Sequence, residues 1–217
     1  MFVGHYGPAG VGALGRIKLW HGVIAVQFLD ILWAPFVLLG VEQVAIVENF
    51  TASNHFDLHH MPWTHSLPMA LVWSVLAGGF YILIRRQVGV AGGAMIGALV
   101  FSHWLFDLLM HVPDLELWFG GPKVGLGLWE NRPLSAGLEL AIFGIGMLVF
   151  LRCTVAKGIA GFLSLATFVF VGAALQIYGN WAPPPPGPDA AAISALIAYA
   201  LFIGLAFWID QTRTVRS

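Results

Sequence analysis

Charge is what this sequence has least of. Only 10% of its 217 residues are Asp, Glu, Lys or Arg, against about 25% in an ordinary soluble domain, which excludes a soluble globular protein of this length. One cysteine, Cys153, excludes an internal disulfide and any thiolate-rich metal site. A formal net charge of -1 leaves no basic footprint for nucleic acid. No internal repeat is visible, and low complexity is confined to the stiff turn PPPPGP at 183–188. The opening stretch MFVGHYGPAGVGALGRIK puts its basic residues after the apolar part and has no small-residue cleavage site, so no cleaved leader is expected.

What fills the space is apolar. Hydrophobic residues make up 59% of the chain and the mean hydropathy is +0.82. Apolar runs near the ~20 residues needed to cross a bilayer recur along it. They predict an all-α integral membrane protein, a single domain over 1–217, with about six transmembrane helices at roughly 19–41, 66–84, 88–111, 135–152, 158–179 and 190–209. Arg16, Lys18, Arg85, Arg86, Arg152, Lys157, Arg213 and Arg216 fall on one side of these spans, and only Lys123 and Arg132 on the other. The positive-inside rule then puts both termini in the cytoplasm and turns the connections at 42–65 and 112–134 outward. Residues 1–15 are uncharged and mostly apolar yet precede Arg16. They fit a half-span that dips into the membrane and returns. A helix from Arg16 back to His5 climbs roughly 16 Å, and one from Lys18 to Asp30 roughly 18 Å, so His5 and Asp30 would share one depth. The glycines at 4, 7, 10, 12 and 15 weaken that helix.

An ionisable side chain inside a span costs at least ~2.5 kcal/mol to insert, so it is usually paired, ligated or functional. Asp30 stands inside VIAVQFLDILWAPFVLL and Asp107 inside ALVFSHWLFDLLMH. His103 lies four residues before Asp107 and His111 four after it, which puts all three on one helix face. Carboxylate and imidazole at this spacing can hold one cation. The plainer reading is a structural hydrogen-bonded ladder, and for Asp30 alone a bond to a backbone or serine across the helix interface. His21, beside Trp20, reads as an interfacial residue, and Glu139 as an outer-surface carboxylate or a partner for a histidine.

Half of the eight histidines crowd into HFDLHHMPWTHS at 55–66. The H-x3-H-H pattern resembles one box of the membrane diiron desaturases and hydroxylases, but His5, His21, His65, His103 and His111 stand singly, so the further boxes of that chemistry are missing. His65 comes just before an apolar run, at a helix start that Ser66 or Thr64 could cap and Pro68 suits. His55, His59 and His60 read as solvated or substrate-facing loop residues.

Taken in order, GHYG, QFLDILW, WTHSL and SHWLFDLLMHVPD, followed by GGPKVGLGLW at 120–129, resemble the bacterial membrane-bound metal-dependent hydrolase family (YdjM-type), whose ligand pattern is similar to that of zinc-dependent phospholipase C. The likeness covers about residues 1–130 and makes 131–217 supporting helices. It implies a metal site from His5, Asp30, His65, His103 and Asp107. Many relatives have Pro-Asp-x-Asp-His where this chain has Leu29-Asp30-Ile31-Leu32-Trp33, which leaves few acidic ligands for a second metal.

The expected function is a phospholipase-like, membrane-embedded hydrolase acting on a lipid or small phosphoester or ester through metal-activated water. Imidazole and carboxylate without thiolate suit Zn²⁺, with Mn²⁺ or Fe²⁺ as alternatives. Asp107 or Asp30, whichever is not ligating, would be the general base, and His111, His60 or Asp57 would protonate the leaving group. Asp57, His60, Trp63 and Trp129 are the candidate substrate contacts, and Trp63, Trp104, Trp118 and Trp129 are expected at the outer interface. Two other classes stay open: a proton- or ion-coupled transporter using the intramembrane Asp and His, and an accessory subunit of a larger membrane complex, with a His-ligated cofactor or structural ion. A homo-oligomer fits either.

Overall fold

The computed structural model describes residues 2–216. Its architecture is all-α, with short two-stranded pieces in the connections. Among the described residues, five helices are long and apolar enough to cross a membrane: α4 (Leu67–Ile84), α5 (Gly89–Met110, continued from a turn at Arg86), α6 (Arg132–Cys153), α7 (Gly158–Gly179) and α8 (Pro188–Thr212). A sixth crossing is available only as a broken span. Large apolar side chains such as Val75, Phe80, Ile145, Phe162, Phe170 and Ile197 are exposed on these helices, as lipid-facing residues are in a membrane protein.

The first expected span is not one rod. It divides into α2 (Leu19–Val26) and α3 (Phe28–Leu38), bent by 50° at Gln27. Neither Pro nor Gly stands at the break. The last carbonyls of a helix lack intrahelical partners, and the carbonyl of Val26 accepts instead from the ring of His103 on α5, Nδ1 to O 2.7 Å. A side chain inserted into the hydrogen-bond ladder is a recognised cause of a kink.

Residues 3–15 form a short helix, α1 (Tyr6–Val11), between two tighter turns. This segment is a pillar inside the bundle: Val3 and Tyr6 are fully buried, and Tyr6 stacks on Phe202 of α8 with centroids 4.3 Å apart. The chain reverses at Arg16, which adopts a left-handed conformation at φ 57°. The glycines that weaken the helix let it dock. A Cβ on Gly10 would overlap the Gly146 carbonyl of α6, and one on Gly146 would overlap Gly7, so α1 and α6 meet backbone to backbone.

The two long connections hold small hairpins that the sequence did not announce. β1 (Gln43–Ile46) pairs antiparallel with β2 (Phe56–His60), with an irregularity between Gln43 and Ala45. β3 (Leu115–Glu116) pairs with β4 (Lys123–Val124). At the opposite end, β5 (Thr154–Ala156) pairs with β6 (Arg213–Val215), where Arg213 donates to Thr154 Oγ1 at 2.9 Å and to the Gly161 carbonyl at 2.9 Å. This clamp ties the α6–α7 connection to the end of α8.

Candidate metal centre

Asp107, one helical turn from His103 and from His111, is the hub. Its Oδ2 lies 3.1 Å from His103 Nε2 and 3.6 Å from His65 Nε2. Its Oδ1 lies 3.1 Å from His5 Nε2 and 3.3 Å from His111 Nε2. Asp30 reaches the same place from α3, with Oδ1 3.3 Å from His65 Nε2 and 3.5 Å from His103 Nε2. Two overlapping groups, His5–His103–Asp107 and Asp30–His65–His103, each bring their ligand atoms within 4.8 Å of one another and can hold a metal ion. His5, His65, His103, Asp107 and His111 are all buried.

The hydrogen bonds behind the rings fix which nitrogens carry protons. His103 Nδ1 faces the Val26 carbonyl, which only accepts, so Nδ1 is the donor. Thr64 has one hydroxyl proton. It donates that proton to Glu42 Oε2 at 2.7 Å, so at 2.6 Å it must accept from His65 Nδ1. His111 Nδ1 donates to Asp114 Oδ1 at 2.8 Å. In their neutral forms His65, His103 and His111 therefore all present a bare Nε2 lone pair toward carboxylate oxygens. His65 and His103 Nε2 are only 3.3 Å apart. Electron pairs converging in this way repel unless something positive sits among them: protons on the imidazoles, or a metal cation. A backbone carbonyl or carboxylate behind each ligating imidazole is the usual support of a metal site. His5 adds an orphan, since its buried Nδ1 has no hydrogen-bond partner, and its ring stacks on His103 at 3.7 Å and 4°.

Further residues hold this geometry, and of these Glu42 and Tyr199 carry no signal in the sequence. Glu42 is 1% exposed and accepts from Trp63 N, Thr64 N and the Thr64 hydroxyl. Burial lifts its carboxyl above the usual range, against the pull of His65 and these donors. Tyr199 of α8 donates to Asp30 Oδ2 at 2.9 Å, and Trp104 Nε1 donates to the His65 carbonyl at 2.9 Å. Glu139 faces inward and accepts from Phe2 N and Gly4 N, which anchors the pillar carrying His5. Asp30 thus bonds a tyrosine and two imidazoles rather than a serine or a backbone group.

Other expectations need correction. Ser66 stands at the N-cap of α4, but its hydroxyl donates to the Pro62 carbonyl, and that of Thr64 to Glu42, so neither side chain caps the helix. Trp104 and Trp129 are buried, whereas Trp63 and Trp118 are exposed. A cavity of about 440 Å³ opens from the cluster, and Asp30, His65, Asp107, His111 and Trp129 are among its lining residues. Asp57, His60 and Trp63 are not. Side chains alternate along a strand: in β2, Phe56 and Leu58 face the cavity and Asp57 does not, while His60 at the strand end is exposed. Trp63 instead packs its ring against Phe119. His55 does line the cavity, but as a tie: its Nε2 donates to the Ala182 carbonyl at 3.1 Å and its Nδ1 accepts from Asn49 N at 2.8 Å. His21, outside the cluster, bonds Tyr81.

Comparison of the chain with models of protein families, with curated proteins and with solved structures finds no match in any of the three.

Proposed function

We propose that this chain is a membrane-embedded, metal-dependent hydrolase of lipid or small ester and phosphoester substrates. The observation that carries the reading is the meeting of two bare Nε2 lone pairs, from His65 and His103, with oxygens of Asp30 and Asp107 in a buried site open to a cavity. His5, Asp30, His65, His103 and Asp107 would hold the ion. Nitrogen and oxygen donors without sulfur favour Zn²⁺, with Mn²⁺ or Fe²⁺ also accommodated. Such an ion, when bound, lowers the pKa of water towards ~7 and polarises a carbonyl or phosphoryl oxygen.

The chain's own residues supply the rest. Tyr199 holds Asp30 by Oδ2, which leaves Oδ1 turned to the cluster, to hold the ion or, when it is not ligating, to accept a proton from the attacking water. His111 lines the cavity with Nδ1–H fixed on Asp114, so it is the imidazolium form, with a second proton on Nε2, that would pass a proton to the leaving group. Trp129 stacks on His111 at 4.1 Å and walls that side against water. In this reading both termini are cytoplasmic, the membrane is a bacterial inner membrane, and the cavity faces its outer leaflet.

Metal analysis of the purified full chain tests the proposal. About one tightly held zinc per chain, lost in Asp107→Ala, together with zinc-dependent hydrolysis, supports it. A protein free of metal that instead couples proton flux to uptake would replace it with the proton-relay alternative.

A further inference from the structure

The cavity is an unequal space, and its walls describe what it takes. α7 and α8 are locked together at one end, where Phe168 meets Phe202 with centroids 5.3 Å apart and Ser164 bonds Thr212 at 2.8 Å. At the Gly179 end of α7 and the Pro188 end of α8, the facing residues line the cavity instead. On α8 these are Ala191, Ser194, Ala195 and Ala198, a stripe of small side chains at i, i+3, i+4 and i+7, followed by Tyr199 nearer the cluster. Ser194 and Tyr178 are exposed as well as lining, so the space reaches the lipid-facing side of the bundle.

Polar features inside point to a ligand. Trp33 Nε1 and Asn180 Nδ2 belong to residues 7% and 8% exposed, both line the cavity, and neither has a hydrogen-bond partner. Asn54 Nδ2 is a third buried donor in the same wall without a partner. Unsatisfied buried donors are costly, and they call for acceptor oxygens. Charge sets a second condition. Among the described residues no lysine or arginine lines the cavity, while Asp30, Asp107 and Glu139 do. Phosphate and carboxylate groups are ordinarily met by arginine or lysine. This wall offers neutral N–H donors and an additional carboxylate beyond the metal cluster.

We infer that the substrate is an uncharged acyl lipid, an ester or amide, whose chain enters sideways between the Gly179 end of α7 and the Pro188 end of α8 while its carbonyl side is received by Trp33, Asn54 and Asn180. The inference rests on the hydrolase reading and narrows it. Water oxygen bonds to the acyl carbon, the ester C–O or amide C–N bond breaks, and the proton released by water ends on the leaving alcohol or amine. No oxidant or reductant is needed.

The test uses the zinc-loaded full chain in neutral detergent, with probes sharing one leaving group: 4-nitrophenyl hexadecanoate, 4-nitrophenyl butyrate and hexadecyl 4-nitrophenyl phosphate. A hexadecanoyl amide carrying a diazirine on its chain gives a readout independent of turnover. The long ester is expected to exceed the phosphodiester in kcat/KM by roughly tenfold or more. The diazirine should label 175–179 and 191–198. Ala195→Trp should abolish that labelling and lower the ratio of long-ester to short-ester turnover by roughly tenfold, whereas Ile193→Trp, on the exposed side of α8, should change neither. Preference for the phosphodiester, labelling elsewhere, or an unaltered ratio in Ala195→Trp overturns the inference and leaves the hydrolase reading in place. Labelling at these segments with no hydrolysis of any probe does the reverse: the lipid site stands and the hydrolase reading falls.

Discussion

Replacing Thr64 by Val removes one hydroxyl from a place where one proton decides the chemistry. Thr64 links Glu42 at 2.7 Å to His65 Nδ1 at 2.6 Å, and it holds His65 with the Nε2 lone pair facing Asp30 Oδ1 at 3.3 Å. In Thr64→Val, Nδ1–H would be buried without an acceptor, at a cost of about 1–3 kcal/mol. The ring escapes most of this by moving its proton to Nε2, where Asp30 accepts it. The apo protein then loses only about 1 kcal/mol, for the hydrogen bond to Glu42. The metal loses more, because a protonated Nε2 is not a ligand. Removing such a supporting partner typically weakens metal binding 10–100-fold, or about 1.4–2.8 kcal/mol. Competition with a zinc chelator measures the affinity, thermal melting of the apo form measures stability, and ring ¹⁵N shifts of His65 report the tautomer. Thr64→Ser should restore all three. A Thr64→Val protein that binds zinc within about twofold of wild type, or that loses more apo stability than metal affinity, would refute the tautomer argument.

Four further outcomes are expected. Asp107→Ala should bring zinc in the purified protein close to zero, because Asp107 faces His5, His65, His103 and His111 at once; elemental analysis checks it. Tyr199→Phe removes the donor to Asp30 Oδ2 and should weaken zinc by roughly tenfold with little loss of helix content, measured by chelator competition and circular dichroism. Gly146→Leu touches no ligand, yet it should cost about 1–3 kcal/mol or more by forcing α1 off α6, and it should lower zinc occupancy by displacing His5. Stripping metal from the wild type should lower Tm by roughly 5–10 °C relative to protein held at about 100-fold Kd of free zinc, with readdition restoring it.

The membrane helices were legible because an apolar run near twenty residues has few other uses. Asp107 with His103 and His111 was legible for a related reason: charge inside such a run is expensive, and four-residue spacing puts the three on one face. His5, Asp30 and His65 enter as ligands only through a family resemblance, yet the geometry brings His5 and His65 to Asp107 and Asp30 to His65. What stayed hidden depends on tertiary contact. Nothing near Glu42 or Tyr199 in sequence indicates that they stand behind His65 and Asp30. The break at Gln27 carries no Pro or Gly, and its cause, the ring of His103 on the Val26 carbonyl, is 77 positions from Val26. Asp57 and His60 look like substrate contacts only if the histidine-rich stretch is a loop. Phe56–His60 is a strand, whose alternation turns Phe56 and Leu58 inward and Asp57 away, while His60 is exposed at its end.

The docking of the N-terminal pillar on α6 has a consequence for biogenesis. His5 precedes by far what pins its segment: Glu139, which accepts from Phe2 N, comes 137 positions after Phe2. Helices α2 to α5 can insert and still leave this imidazole without its seat. Under the proposed function, metal uptake would follow delivery of α6 to the bilayer, and an arrested nascent chain ending before Glu139 should bind zinc far less well than the finished protein.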